Sequence, residues 1–162
     1  KCQVLFIMIR MQLTSFTDYG LRSLMYLAAC PDRLSSVKEI SGYYGISRNH
    51  LVKVVHRLAQ LGYIETSKGK GGGIRLACDA QKLQLGNLVK ALEPSMGIAE
   101  CFSRETNTCK LTGNCQLKHY FYEASQAFID VLNRYTLADI VKNKDLFPEW
   151  PHNESRMKNL LS

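Results

Sequence analysis

The chain lacks an apolar run long enough to cross a membrane. Its longest run covers residues 4–9, whereas a membrane helix needs roughly 20 apolar residues. Six cysteines in 162 residues are too sparse for a small secreted domain held together by disulfides. The chain is 46% hydrophobic and 22% charged, the balance of a folded soluble protein. A membrane protein, a disordered chain and a secreted knot are therefore disfavoured, and no membrane partner is expected.

Acidic residues are also scarce, because 14 Asp and Glu stand against 21 Lys and Arg, a net charge of +7. Most of the excess lies in residues 48–75, where six basic side chains accompany a single acid, Glu65, for a net charge of +5. Concentrated positive charge favours an anionic partner such as nucleic acid. A solvated basic face is the structural alternative, and charge alone does not decide between them.

Two short helices are predicted ahead of and within this basic window. Ser36 and Glu39 have the spacing of a capping box, and the helix that they begin stops near Gly45. Ser47 opens the next helix, and Gly62 ends it. The apolar residues of this second helix have helical spacing; they are Leu51, Val54, Val55, Leu58 and Leu61. Two helices joined by a tight turn that contains glycine predict a helix-turn-helix.

A β-hairpin is predicted directly after the second helix. Residues 63–66 are β-prone and residues 74–77 alternate apolar with polar, and a basic, glycine-rich loop separates them. A hairpin in this position is the wing of a winged helix-turn-helix. A nucleotide-binding loop is disfavoured, because residues 70–73 have neither the Walker spacing nor a following helix.

The basic window and the winged helix-turn-helix together favour binding to duplex DNA. The start of a recognition helix presents side chains to base edges in the major groove, where Asn pairs with adenine and Arg with guanine. Lysines on the wing suit phosphate contacts, which hold register. The predicted DNA-binding residues are Ser47, Arg48, Asn49, His50, Lys53, Arg57, Lys68, Lys70 and Arg75.

Further helices are predicted on either side of this region. A first helix is capped by Thr14 or Thr17, and a short one covers residues 85–92. A long apolar stripe from Leu117 to Tyr135 predicts a long helix, followed by a short capped helix over residues 136–141. A stripe of this length usually packs against a partner, here the same helix of a second subunit. Its members are Leu117, Tyr120, Phe121, Ala124, Phe128, Val131, Leu132 and Tyr135.

Three cysteines, Cys101, Cys109 and Cys115, lie on one polar loop with seven and then five residues between them. The absence of a CxxC pair disfavours a standard zinc knuckle. Three thiolates can hold an iron–sulfur cluster, with a further ligand from elsewhere. A zinc site completed by His119 is an alternative, as are metal-free thiols or a redox disulfide. Cys2, Cys30 and Cys78 receive no role.

Four segments closely resemble the nitric-oxide-sensitive repressors of the Rrf2 family of bacterial winged-helix regulators. They read MQLTSFTDYGLRSLMYLA (11–28), YGISRNHLVKVVHRLAQLGYI (44–64), GKGGGIRLA (69–77) and YTLADIV (135–141). The resemblance extends from Met11 to about residue 144. It implies a cytoplasmic homodimer that is not an enzyme and that represses genes for nitric-oxide detoxification at a palindromic operator.

The resemblance also implies one iron–sulfur cluster per subunit, 4Fe–4S or alternatively 2Fe–2S. Its ligands would be Cys101, Cys109 and Cys115, with Asp18 from the first helix of the other subunit. The gap between the first two cysteines is longer than is usual in the family. Arg22 lies four residues after Asp18, on the same helix face, and would orient the carboxylate; a simple surface ion pair is the alternative.

Nitric oxide would break the Asp18 bond, shift the first helix and change the spacing of the two recognition helices. Three rival functions remain. The first is a metal-free or redox-thiol winged-helix regulator. The second is an iron–sulfur biogenesis regulator of the same family, which carries a His where this chain has Lys118. The third is an enzyme with a thiolate nucleophile, which is disfavoured because no Cys has a His and an acid in a readable arrangement.

The predicted fold is mainly α with a small β-hairpin wing: a winged helix-turn-helix followed by a long dimerisation helix. Residues 1–10 are expected to be a non-native or upstream extension ahead of Met11. Residues 11–83 form the DNA-binding domain in this interpretation, and residues 84–147 form the cluster-binding loop and the dimerisation helix. Residues 148–162 are expected to be a flexible tail.

Overall fold

A computed structural model describes residues 12–103 and 105–142. The expected extension, Met11 and the expected tail lie outside these residues. The helices of the described part are α1 (Ser15–Ala29), α2 (Val37–Tyr44), α3 (Arg48–Gln60), α4 (Leu85–Leu92), α5 (Gln116–Leu132) and α6 (Leu137–Val141). Its strands are β1 (Ile64–Ser67) and β2 (Gly73–Leu76), and single 3₁₀ turns lie at Ala80–Lys82 and Glu100–Phe102.

The helix-turn-helix forms where the local signals predict it. The Ser36 side chain accepts a hydrogen bond from the Glu39 amide at 3.1 Å, and the Ser36 amide donates to the Glu39 side chain at 3.2 Å. This reciprocal capping box begins α2 and satisfies amides that have no partner in the first helical turn. Gly45 ends α2 with φ = 64°, a left-handed conformation that glycine adopts without steric cost. The chain can therefore turn sharply into α3.

The wing is a two-stranded antiparallel hairpin. Ile64 lies opposite Leu76, and Ser67 lies opposite Gly73. A Cβ atom at Gly72 would collide with the carbonyl oxygen of Ser67, so the loop closes only with glycine at that position. A backbone bridge between Ser35 and Ile74, with N–O distances of 3.0 and 2.8 Å, attaches the wing to the segment before α2.

The hydrophobic core lies among α1, α2, α3, the wing, α4 and α6. Its largest fully buried side chains include Leu24, Tyr26, Leu27, Ile40, Leu51, Leu58, Leu88 and Leu137. The start of α1 is also tied to the end of α4, because the Thr14 amide and hydroxyl both donate to Glu93 Oε2 at 3.1 Å. The helix that carries Asp18 therefore packs on the segment that leads into the cysteine loop.

Helix α5 differs from its prediction in length and in buried face. It ends at Leu132 rather than Tyr135, because Asn133 accepts a hydrogen bond from the Asn87 amide at 3.0 Å and the chain then turns. Ile129, which does not belong to the predicted stripe, is the apolar side chain that α5 buries in the core. The stripe itself stays largely outside the core.

The described residues thus confirm a mainly helical fold with a hairpin wing. No helix within residues 12–103 and 105–142 combines the length and the hydropathy that crossing a membrane requires.

Candidate DNA-binding face and cysteine loop

The nine predicted DNA-binding residues are all exposed. Helix α3 buries Leu51, Val54, Val55 and Leu58 against the core, so its remaining sides face solvent. Arg48, Asn49 and His50 occupy its first turn, where the amides that lack helical partners also lie. We call the exposed surface formed by Arg48, Asn49, His50, Lys53, Arg57, Lys68 and Lys70 the basic face.

The cations of the basic face are not neutralised by neighbouring acids. Within the described residues, no carboxylate lies within 4 Å of Arg48, Lys53, Arg57, Lys68 or Lys70. Unpaired positive charges on one surface attract a polyanion and release its counterions on binding. The wing lysines flank Gly69, whose φ of 99° shapes a tight tip between them.

Arg75 differs from the other predicted contacts, because it is paired. Its Nε and Nη2 atoms donate to Glu65 Oε2 at 3.0 and 2.9 Å, and the two residues lie directly opposite each other across the hairpin. Arg75 therefore compensates the acid of the basic window. This pairing leaves the five unpaired cations as the source of the positive field.

Two further exposed side chains on α3, Val52 and His56, lie beside the predicted contacts. Neither residue is among the contacts predicted from the sequence, although helical spacing provides the signal for both. Helical spacing places them three and seven residues after Asn49, on the side away from the buried Leu51 and Leu58.

Asp18 and Arg22 form a two-pronged ion pair on α1. Arg22 Nε lies 3.0 Å from Asp18 Oδ1, and Arg22 Nη2 lies 2.9 Å from Asp18 Oδ2. A guanidinium that donates to both oxygens fixes the plane of the carboxylate as well as its position. Both side chains are a little over 40% exposed, so the carboxylate is held in one orientation and remains accessible.

Arg22 also connects this ion pair to the helix-turn-helix. Its guanidinium carbon lies 5.9 Å from the ring centre of Tyr44, within cation–π range. Tyr44 is the last residue of α2 and precedes the turn at Gly45. Burial raises the pKa of its phenol. A physical contact therefore runs from Asp18 to the turn that positions α3.

A partly buried polar cluster fixes the other end of α2. Tyr26 Oη and Arg33 Nη2 both donate to Glu39 Oε1, at 2.6 and 2.5 Å. Burial by itself raises the pKa of Glu39, but the hydrogen bonds from Arg33, Tyr26 and the Ser36 amide outweigh it, and the pKa lies below its usual range. Glu39 is therefore ionised at neutral pH and links α1, the loop after it and α2.

Two of the three loop cysteines, Cys101 and Cys115, line one open cavity of about 900 Å³ together with Lys118 and His119. No acidic side chain of the described chain lines this cavity. Cys109 does not line it; its amide is held by Asn107 Oδ1 at 3.0 Å. All three thiols are free and half-buried.

The donor chemistry of this loop fits a thiolate-bound metal cluster in part. Three free thiols, two of which line a cavity with Lys118, suit an iron–sulfur centre. Within the described residues, however, no three of the His, Cys, Asp and Glu side chains are gathered as a metal site. Asp18, on α1, is not among the residues that line the cavity. The described chain thus supplies the ligand types without bringing them together.

The model of one family, Rrf2, described as an iron-dependent transcriptional regulator, matches residues 13–143. The chain belongs to the Rrf2 family. It is 52% identical over 136 residues to the HTH-type transcriptional regulator NsrR of Shouchella clausii, covering 83% of this chain and 91% of that protein.

Another relative is the HTH-type transcriptional regulator NsrR of Bacillus subtilis, 49% identical, with 83% of this chain and 93% of that protein covered. The chain is therefore an NsrR-type member of the Rrf2 family, a DNA-binding transcriptional regulator rather than an enzyme. This result confirms the resemblance found in the sequence.

Solved structures show the same fold at low identity. T. potens IscR superposes with a TM-score of 0.67 at 21% identity, covering 83% of this chain and 89% of that one. The oxidized form of Staphylococcus aureus CymR superposes with a TM-score of 0.65 at 24% identity, covering 82% and 97%. At these identities the likeness supports the winged-helix fold alone.

Proposed function

We propose that this regulator is a cytoplasmic repressor that binds a palindromic operator as a homodimer and releases it when nitric oxide reaches an iron–sulfur cluster. The observation that carries the proposal is the basic face on a winged helix-turn-helix. Five of its cations have no carboxylate within 4 Å in the part of the chain that the structure describes. The similarity to NsrR regulators supports the sensing half.

The contacts divide between base reading and phosphate binding. Arg48, Asn49 and His50 lie at the start of α3, the end of a recognition helix that reaches base edges in the major groove. Ser47 precedes them, and its hydroxyl can donate to the DNA backbone because the side chain forms no cap hydrogen bond. Lys53, Arg57, Lys68 and Lys70 neutralise phosphates, and Arg75 holds the wing acid.

The exposed side of α5 supports the homodimer. Leu117 and Tyr120 are 56% and 57% exposed, and Val131 is 46% exposed. They lie on one side of the helix with Ala124, and the buried Ile129 lies on another. Apolar surface concentrated on one long helix suits pairing with a second copy. A two-fold dimer would place its recognition helices in major grooves about 34–36 Å apart, which requires a palindromic operator.

The cluster would be held by Cys101, Cys109 and Cys115, with Asp18 of the partner subunit as the fourth ligand. When bound, the cluster would supply one iron whose ligand is an oxygen of Asp18. Because oxygen binds iron more weakly than thiolate does, this iron would be open to attack by nitric oxide. Arg22 orients the Asp18 carboxylate, and Lys118 compensates the negative charge of the thiolates. We favour 4Fe–4S over 2Fe–2S.

A route from Asp18 to DNA runs through the chain itself. Asp18 holds Arg22, and Arg22 contacts Tyr44 at the end of α2. A change in the partners of Asp18 therefore alters the position of Arg22 against the turn that leads to α3. Coupling of this kind needs two states with different affinities for each ligand, and the exposed ion pair provides an element that can rearrange at low cost.

Metal analysis of protein purified without oxygen tests the proposal. Wild-type protein and Cys78→Ser, which alters an exposed cysteine outside the loop, should contain about four irons and four sulfides per chain. Cys109→Ser should lose most of both. Two irons would indicate 2Fe–2S, and zinc would indicate a different metal site. Metal-free protein with paired thiols would favour a redox-thiol regulator.

A further inference from the structure

Val52 is the exposed apolar side chain of the recognition helix within the described chain. It is 48% exposed, although valine has a lower helix propensity than most straight-chain residues. The other exposed residues of α3 are all polar or charged. They are Arg48, Asn49, His50, Lys53, His56, Arg57 and Gln60.

The neighbours of Val52 indicate what covers it. Arg48 and Asn49 lie four and three residues before it, and His56 lies four residues after it, spacings that bring Cβ atoms to about 5–6 Å on a helix surface. The basic face around it carries unpaired cations. A partner that is strongly anionic and also offers a small apolar group fits this arrangement better than an apolar protein surface.

Duplex DNA provides such a group in its major groove. The C5 methyl of thymine is the apolar group that side chains contact there, and no other base presents one. Asn49, one helical turn away from Val52, has the amide that pairs with adenine. Neighbouring side chains about 5–6 Å apart span one or two base-pair steps of about 3.4 Å.

We propose that Val52 is a specificity-determining residue that contacts a thymine methyl group one or two base pairs from an adenine read by Asn49. This inference rests on the proposed binding of duplex DNA and adds which base is selected. The half-site should then contain an adenine and a thymine as close neighbours, and changing the thymine should cost affinity even where no hydrogen bond is lost.

Replacement of thymine by deoxyuridine tests this contact, because it removes the methyl group and leaves the pairing intact. A duplex would first be selected from a random pool with the oxygen-free, metal-loaded protein. Each thymine of the half-site would then be replaced in turn and the dissociation constant measured. For wild-type protein we expect about a fourfold loss at one position of each half-site, the effect of burying one carbon group.

Val52→Ala should bind duplexes that carry thymine or deoxyuridine at that position with equal affinity. Val52→Thr, which keeps a methyl group, should retain most of the difference. Gln60→Ala, an exposed change at the end of the same helix, serves as the matched control and should keep the wild-type profile. Thermal unfolding would verify that each variant folds, as exposed α3 substitutions should.

The inference is overturned if Val52→Ala keeps the wild-type penalty for deoxyuridine, or if no single methyl matters to wild-type protein that still selects a sequence. The second outcome would assign Val52 to a contact other than DNA. Failure to select any sequence is a different result: it overturns the proposed operator binding itself.

Discussion

Arg22 holds both carboxylate oxygens of Asp18, with nitrogen–oxygen distances of 3.0 and 2.9 Å. Ion pairs this exposed contribute only about 0.2–1 kcal/mol to the free energy of folding, so the pair adds little to the stability of the fold. Its effect is to fix the direction in which the carboxylate points, and to hold Arg22 beside Tyr44. Orientation of the carboxylate is what a ligand supplied to another subunit requires.

Asp18→Asn separates ligation from folding. We expect the free energy of unfolding of the variant to stay within about 1 kcal/mol of the wild-type value. Since an amide is a poor ligand for iron, the variant should retain its cluster poorly or respond weakly to nitric oxide. Absorbance spectra and DNA titrations with and without nitric oxide measure this effect. Glu65→Gln removes a carboxylate from a similar exposed pair on the wing and should keep the spectrum. An unchanged spectrum together with an unchanged response in Asp18→Asn would remove Asp18 from the site.

The wing makes a prediction about salt dependence. Lys68→Ala should weaken binding to every duplex by a similar factor and lower the slope of log K against log salt by about 1. Glu65→Gln should act in the opposite direction, because it removes the acid that Arg75 compensates. Titrations at several salt concentrations on operator and scrambled duplexes compare the two. A loss confined to the operator would show that Lys68 reads bases.

The exposed side of α5 makes a prediction about assembly. Tyr120→Glu places a charge in the middle of the proposed apolar interface and should shift the protein toward monomer in sedimentation velocity. Affinity for the full palindrome should then approach the affinity for a half-site. Glu123→Gln, also exposed on α5, should stay dimeric. A dimer that survives Tyr120→Glu unchanged would place the interface elsewhere.

The partly buried cluster around Glu39 makes a prediction about pH. The folded pKa of Glu39 lies below its ordinary value of about 4.5, so its contribution to stability is full above that pH and is lost as pH falls through the folded value. Glu39→Gln should therefore cost about 1–3 kcal/mol at neutral pH and progressively less below pH 4.5. Chemical unfolding of both proteins across this range measures the difference, and a gap that stays constant with pH would contradict the ionised role.

Features that depend on neighbouring residues could be predicted from the sequence. The capping box at Ser36 and the buried stripe of α3 follow from local spacing, and the hairpin follows from its glycine-rich loop. The end of α5 could not be predicted, since it depends on a hydrogen bond from Asn87, distant in the sequence, to Asn133.

The candidate site shows the same division. The exposed residues of α3 follow from helical spacing, and the ion pair of Asp18 and Arg22 follows from their separation by four. The pairing of Arg75 with Glu65 depends on the register of the hairpin. The three cysteines are not gathered within the described residues. In the proposed function their convergence would need a metal and a second subunit, which neither the sequence pattern nor a single chain supplies.

The proposed response to nitric oxide is tested most directly by the affinity of metal-loaded protein for its selected palindrome, measured without oxygen before and after addition of nitric oxide. We expect tight binding by the loaded protein, and a loss of affinity of at least tenfold, about 1.4 kcal/mol, both after addition of nitric oxide and after removal of iron. Equal affinity in all three states would contradict it.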